Sequence, residues 1–285
     1  MSDTNNEPKN SIQQRITNEQ LLSYLIQKGE RHQYFNHYTN ISSLSGMLEN
    51  KKLYLTRADR LNDFNEGGQV KEKRNVFIVS FSCRTPESIA MWSMYAAPYC
   101  EGICLRIDGK SLRAFLKSFN ATPLLYPIIG DDKDKPISFS GKAKLFIVEV
   151  VYANKNEPLD IYIYKNQDSI MHAKKINRNT PPPSESLLNW CIKDRIWEAE
   201  NEARLVLELD RPFSDLEKVA IDFSKALQDL RIICGPCVDD SNVRNNLKGQ
   251  DIIEVLPSKY YNKTFFKSCS KNGCNRTDFC KNRNP

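Results

Sequence analysis

Three charged residues occupy alternate positions in one stretch of this chain, Glu200, Glu202 and Arg204 in the string WEAENEAR. In a β-strand side chains repeat every two residues, so all three would share a face. The residues that follow support a strand, because Glu202, Arg204, Val206 and Glu208 alternate with Ala203, Leu205, Leu207 and Leu209. The plain explanation is a solvated face carrying a Glu–Arg pair. The chemical one is a pair of carboxylates with separate tasks, one stabilising a developing cation and the other orienting or deprotonating a nucleophile. Glycosidic bonds that break through an oxocarbenium-like state need such a pair, and the nicotinamide–ribose bond of NAD is of this type. That reaction also needs a group to hold a ribose and an aromatic ring to sandwich the nicotinamide. A lone histidine is usually structural, but His37, at the end of a short predicted strand, becomes a candidate for the first of these beside the carboxylate pair.

Other chemistries find little support. Cys234-Gly-Pro-Cys237 has the spacing of a redox pair and follows a strand-like run. No tryptophan precedes it and too little chain follows for the rest of a thioredoxin domain, so it reads as a turn with incidental thiols. Cys269, Cys274 and Cys280 lack the tight pairing of structural zinc ligands, and no metal is expected. The chain has no P-loop, no GxGxxG and no GxSxG. With only His32, His37 and His172, bases for a nucleophilic triad are few.

The elements that must position Glu202 and His37 follow from pattern. Thr17 and Gln20 form a capping box ahead of Leu21, Leu22, Leu25 and Ile26 at helical spacing. Strands are expected over 34–38, 53–56, 76–83, 102–108, 144–152, 200–209, 230–235 and 251–255. Helices are expected from Asn40, from Thr85-Pro86 to about Ala97, over 109–119 and through most of 165–195. The order is mixed, which favours α+β over a doubly wound sheet. No repeat or Pro/Gly-rich linker divides the chain. The expected organisation is a disordered start (1–15), one domain (16–265) and a basic, cysteine-containing tail (266–285).

Bulk properties agree with a protein of the cytoplasm. The opening is polar without an apolar core, and no apolar run approaches the ~18–20 residues of a membrane span. Nine cysteines, an odd number, suit a reducing compartment. The formal charge of +6 is a mild basic bias.

The strings YFNHYT from Tyr34, SLSGMLENKKLYLT, LNDFNE, SFS, MWSMYAAPYCEGICLRID and IKDRIWEAENEAR occur in that order. Together they resemble the bacterial Domain of Unknown Function 2971 family, which is thought to be related to ADP-ribosyltransferases, several of them toxins or phage-defence effectors. The resemblance implies split mixed and antiparallel β-sheets flanked by helices, with NAD as substrate. By position it implies that His37, assisted by Tyr38, contacts the adenosine ribose and that Ser80 and Ser82 shape the nicotinamide pocket. Trp92 and Tyr95 become stacking candidates. Glu202 resembles the catalytic glutamate, with Glu200 as its acceptor-facing partner. Two positions depart from the pattern: Asn62-Asp63-Phe64-Asn65-Glu66 lacks the usual proline, and Met94 stands where histidine is usual.

The function expected is transfer of ADP-ribose to a macromolecule, with nucleic acid (RNA or DNA) slightly favoured over protein by the basic charge. A toxin of this kind would need a neutralising antitoxin. The alternatives are an NAD glycohydrolase, which shares the same pocket, and a non-enzymatic nucleotide- or nucleic-acid-binding module.

Overall fold

The computed structural model describes residues 12–15, 18–61, 75–85, 87–96, 101–127, 143–153, 162–166, 169–173, 187–210, 216–247 and 254–261. The first elements are β1 (Ile12–Arg15), α1 (Asn18–Arg31), β2 (Tyr34–Asn40), α2 (Ile41–Asn50), β3 (Lys52–Arg57) and β4 (Val76–Ser82). Next come α3 (Ile89–Tyr95), β5 (Gly102–Asp108), α4 (Gly109–Ala121), β6 (Leu125–Pro127), β7 (Ala143–Glu149) and β8 (Val151–Ala153). The chain continues through β9 (Tyr162–Asn166), β10 (Ser169–Ala173), β11 (Ile192–Asp194), β12 (Glu202–Leu209) and β13 (Lys218–Asp222). It closes on β14 (Arg231–Cys234), α5 (Asp240–Asn246) and β15 (Glu254–Pro257). The class is α+β, as the mixed order of elements predicts.

The main sheet runs β15-β14-β5-β2-β4-β3-β13-β6, and β12 lies between β4 and β7. Its ladders are antiparallel except β14–β15. The strand β4 is a fork. It pairs with β12 from Ser82 to Val76, with β3 only at Phe77 and Ile78, and with β2 only where Ser82 meets Asn36. The parting of β2 from β4 beyond that single pair opens a cleft beside Ser80.

Both faces of β12 are covered. Leu205 and Leu207 join the main core with Phe35, Leu105 and Phe115. Val206 joins a second cluster beneath α1, with Leu21, Leu25 and Val148. The row Glu202, Arg204, Val206 is therefore interior, and the alternation of charge along it is not that of a solvated face.

Several elements depart from the sequence reading. The described part of 165–195 holds β9, β10 and β11 and 3-10 turns, not a long helix. The strand β9 pairs antiparallel with both β10 and the distant β1, so Ile12–Arg15 of the polar start is a strand. The strand expected over 144–152 breaks at Val150, whose N–H donates to the Glu202 carbonyl (3.0 Å). Beyond the break, β8 turns to pair in parallel with β11. The α3 helix starts at Ile89, later than Pro86 suggests. Asn40 caps α2 as expected, accepting the Ser43 N–H at 2.9 Å.

The Cys-Gly-Pro-Cys segment is a turn, as read from the sequence. The Gly235 N–H donates to the Gly102 carbonyl (2.8 Å), and a Cβ on Gly235 would meet that oxygen at 2.5 Å. Cys234 is fully buried, and burial pushes its thiol up to about 12. A thiol so rarely ionised is a poor redox nucleophile. Backbone cannot move aside as a flexible side chain does, so Gly235→Ala is expected to cost about 1–3 kcal/mol. Urea denaturation of the variant measures this.

Candidate active site

The cleft at the fork gathers residues from five places in the chain. His37 and Tyr38 come from β2, Ser80 and Ser82 from β4, and Tyr95 from α3. Glu200 and Glu202 close the inner end. Of the residues singled out from the sequence, Trp92 alone does not line it. Trp92 is fully buried in a small cluster with Met91, Cys104 and Ile233. Its ring meets Tyr38 edge-on at 4.8 Å and its N–H donates to Glu87 (3.0 Å), so the expectation that it faces the cleft is corrected: it supports Tyr38 from behind. Asn62, Asp63 and Glu66 lie outside the described residues.

Among the cleft residues that the sequence reading passed over are Lys193 and Trp197. Lys193 lies on β11, which the parallel pairing with β8 carries to the carboxylates. The Trp197 ring lies 5.0 Å from the Lys193 ammonium. The only local signal for Lys193 is its place between Ile192 and a Trp-bearing turn. Its burial follows from the β8–β11 pairing, which no local pattern announces.

Glu200 is not part of β12, contrary to expectation. It ends a 3-10 turn (Arg195–Glu200), and Asn201 takes a left-handed conformation (φ 47°) that Asn tolerates. Asp194 starts the turn by accepting the Ile196 N–H (3.1 Å). The Ser82 hydroxyl donates to the Glu200 carbonyl (2.6 Å) and the Cys83 N–H to that of Asn201 (2.8 Å). The two carboxylates therefore meet through a pinned turn and not through strand alternation.

Glu200, Glu202, Lys193 and Arg204 are 3%, 4%, 8% and 1% exposed, so their charges must be compensated among themselves. Arg204 grips Glu202 with both arms, Nε to Oε1 at 2.6 Å and a terminal nitrogen to Oε2 at 3.1 Å. Its other terminal nitrogen donates to the Trp190 carbonyl (2.8 Å). Lys193 donates to Glu200 at 2.7 Å and to Glu202 at 3.2 Å. The Tyr95 hydroxyl donates to the remaining oxygen of Glu200.

These surroundings drive the two acids apart. Burial raises Glu200, and its bonds to Lys193 and Tyr95 do not fully offset that. Burial also acts on Glu202, but Arg204, Lys193 and a Ser80 hydrogen bond outweigh it and hold the carboxyl at about 2. Two neighbouring carboxyls with opposed shifts are the usual signature of divided acid–base roles.

His37 is oriented by the fork. A carbonyl only accepts, so the 3.0 Å contact to the Ser80 oxygen places the proton on Nδ1. Burial lowers the pKa of the ring, the Ser80 bond working against it. A neutral ring with Nδ1 protonated presents Nε2 as an acceptor, the form suited to a sugar hydroxyl.

Arg204→Gln leaves Glu202 buried without its main partner and is expected to cost about 3–5 kcal/mol, whereas Arg204→Met with Glu202→Leu costs less. Denaturant unfolding of the single and double variants checks this. Because the Glu202 pKa is depressed on folding, its contribution is complete above the ordinary 4.5 and lost as pH falls towards about 2. Glu200 has the opposite sign, since protonation on acidification relieves its buried charge. The stability difference between wild type and Glu202→Gln should therefore shrink over that acid range in pH-resolved urea titrations.

The model of a family described as "Protein of unknown function (DUF2971)" matches residues 91–205. No curated protein matches the chain. Among solved structures, the chain is similar to the DarT of Thermus sp. 2.9 in complex with carba-NAD+, at 14% identity, with 81% of this chain and 98% of that one covered. The TM-score of 0.32 is too low to transfer any site residue. The family match spans Tyr95, Lys193, Trp197, Glu200, Glu202 and the first half of β12, so the resemblance to the Domain of Unknown Function 2971 family holds over the stretch that supplies the carboxylate end of the cleft.

Proposed function

We propose that the chain is an ADP-ribosyltransferase that cleaves NAD and moves its ADP-ribose to a macromolecular acceptor. One observation carries this reading: two buried carboxyls with opposed pKa shifts share one lysine in a cleft walled by Tyr95, Trp197 and His37.

The chemistry follows from the residues. When the nicotinamide–ribose bond breaks, its electron pair leaves with the pyridinium nitrogen, and C1′ of the ribose becomes cationic. Glu202 stays ionised throughout the physiological range, which suits it to stabilise that cation. Glu200 binds a proton more readily, which suits it to accept one from the attacking acceptor as the new bond to C1′ forms. Lys193 keeps both acids in place and ties their charges together. Tyr95 and Trp197 supply aromatic surface for the departing ring, the part the sequence reading gave to Tyr95 and Trp92. His37 offers Nε2 to a ribose hydroxyl. Ser80 and Ser82 act by fixing Glu202 and the Glu200 turn.

The resemblance adds a role as a bacterial toxin or anti-phage effector acting in the cytoplasm, with an antitoxin in the producing cell and nucleic acid as the favoured acceptor class. No described helix is long and apolar enough to cross a membrane.

Purified wild type and Glu202→Gln, incubated with labelled NAD and total RNA, DNA or protein, test the reading. Wild type is expected to label one fraction, and Glu202→Gln to lose about 10²–10³ of that rate. Trp197→Ala should raise the KM for NAD more than it lowers kcat. Equal labelling by wild type and Glu202→Gln would sink the mechanism.

A further inference from the structure

The α3 helix walls one side of the cleft and ends on Tyr95, yet little in its own sequence holds it there. It has seven residues, and Ser88 at its start makes no side-chain cap bond. An isolated helix this short is not stable in water, so tertiary contacts must set its place. Met91 and Trp92 press one face onto the cluster of Tyr38, Cys104 and Ile233. Apolar burial has no preferred direction, however, so the slide and rotation of the helix are left to hydrogen bonds.

Those bonds converge on Glu87, just ahead of the helix. Its Oε2 accepts the Trp92 ring N–H (3.0 Å) and the Ser258 hydroxyl (2.6 Å). Its Oε1 accepts the Lys259 N–H (3.1 Å), and its backbone carbonyl accepts the Tyr260 hydroxyl (3.0 Å). Ser258, Lys259 and Tyr260 belong to the turn that follows β15, 171 to 173 residues further along the chain. The turn is itself fixed. Its Ser258 is buried, the Ser258 hydroxyl and carbonyl accept the Tyr260 N–H (3.1 Å) and the Tyr261 N–H (2.9 Å), and β15 is paired with β14. The Tyr260 ring packs on the same apolar cluster as Trp92. A carboxylate accepts and does not donate, which suits a group met by three N–H and O–H donors. An amide in its place would turn its own N–H hydrogens towards one of them.

The far end of the helix is tied as well, through the Tyr95 hydroxyl that donates to Glu200. Seven helical residues span about 10 Å. A slide or rotation at Glu87 is therefore passed along a short rigid element to Tyr95. Reacting groups tolerate little of this, since a misplacement of about 1 Å can cost about a hundredfold in rate.

We propose that Glu87 is a positioning residue. Clasped by Ser258, Lys259 and Tyr260, it sets the register of α3, and through the helix it sets Tyr95 against Glu200 and the departing nicotinamide. The C-terminal turn is by this account part of the cleft wall, although it touches none of the cleft residues named above. The role in the reaction rests on the ADP-ribosyl-transfer reading, whereas the hold on α3 is measured independently of it.

The test uses the full chain and two variants that open the clasp from opposite sides, Glu87→Gln and Ser258→Ala. Each is made alone and combined with Tyr95→Ala. Nicotinamide release from NAD gives kcat/KM, and amide hydrogen exchange is followed in residues 87–96 and 202–209. Glu87→Gln is expected to lower kcat/KM about tenfold when Tyr95 is present. In the Tyr95→Ala background it should change kcat/KM by less than about twofold, because a residue that acts through another has nothing left to act on. Ser258→Ala should follow the same pattern with a smaller loss. Both clasp variants should speed exchange in 87–96 and leave 202–209 as in wild type. Equal losses with and without the Tyr95 side chain would overturn the proposal, as would unchanged activity in both clasp variants. Exchange that rises alike in both segments would mark a general loss of stability and overturn it too, as would unchanged exchange in 87–96. If wild type releases no nicotinamide, the proposed reaction falls, and faster exchange confined to 87–96 still assigns the hold on α3 to Glu87.

Discussion

Two glutamates buried within reach of one lysine can persist only because two cations are buried with them. Glu200, Glu202, Lys193 and Arg204 form a set of mutually paired charges, and removing any one leaves a buried partner uncompensated. The set is costly to build and is weak support for stability as such. What it provides is asymmetry. Of the two acids, Arg204 holds Glu202, Tyr95 bonds Glu200, and Lys193 is shared between them. That unequal division separates the two acids into a fixed anion and a proton acceptor.

The fold can be read as the means of assembling that set. The β12 strand is central, gripped on both edges by β4 and β7, so Glu202 and Arg204 start from rigid backbone. The break at Val150 turns β8 aside to form the parallel partner that β11 needs, and β11 delivers Lys193. Glu200 arrives by the turn that ends at Asn201, which Ser82 and Cys83 tie to the end of β4. The same end of β4 meets β2 at a single pair, and the gap beyond it admits the His37 ring to the Ser80 carbonyl. The cleft is thus the unpaired interval of an otherwise continuous sheet.

Much of this was legible in the sequence where the signal is local. The alternation from Glu202 onward marks β12, the run 76–83 marks β4, and Asn40 marks the start of α2, which fixes His37 just before it. Non-local causes were not legible. Lys193 is buried by pairing with a strand 41 residues away in sequence (193 against 152), and no local pattern marks it. Glu200 was assigned to a strand because its spacing fits, but one left-handed residue at Asn201 breaks the period. Trp92 and Tyr95 were grouped because they lie three positions apart on a helix. At about 100° per residue they still point some 60° apart, and on α3 that places one ring in the core and the other at the cleft. Trp197, on the turn itself, faces the cleft with Tyr95, and no periodicity would have located it.

The central claim is that the Glu200–Lys193–Glu202 cleft receives the reacting half of NAD. A crystal structure with a non-hydrolysable NAD analogue tests it most directly. The account requires the nicotinamide-side ribose within hydrogen-bonding distance of Glu202, the pyridine ring against Tyr95 or Trp197, and a ribose hydroxyl on His37 Nε2. An analogue bound elsewhere, or lying in the cleft with its ribose turned away from both carboxylates, would contradict it.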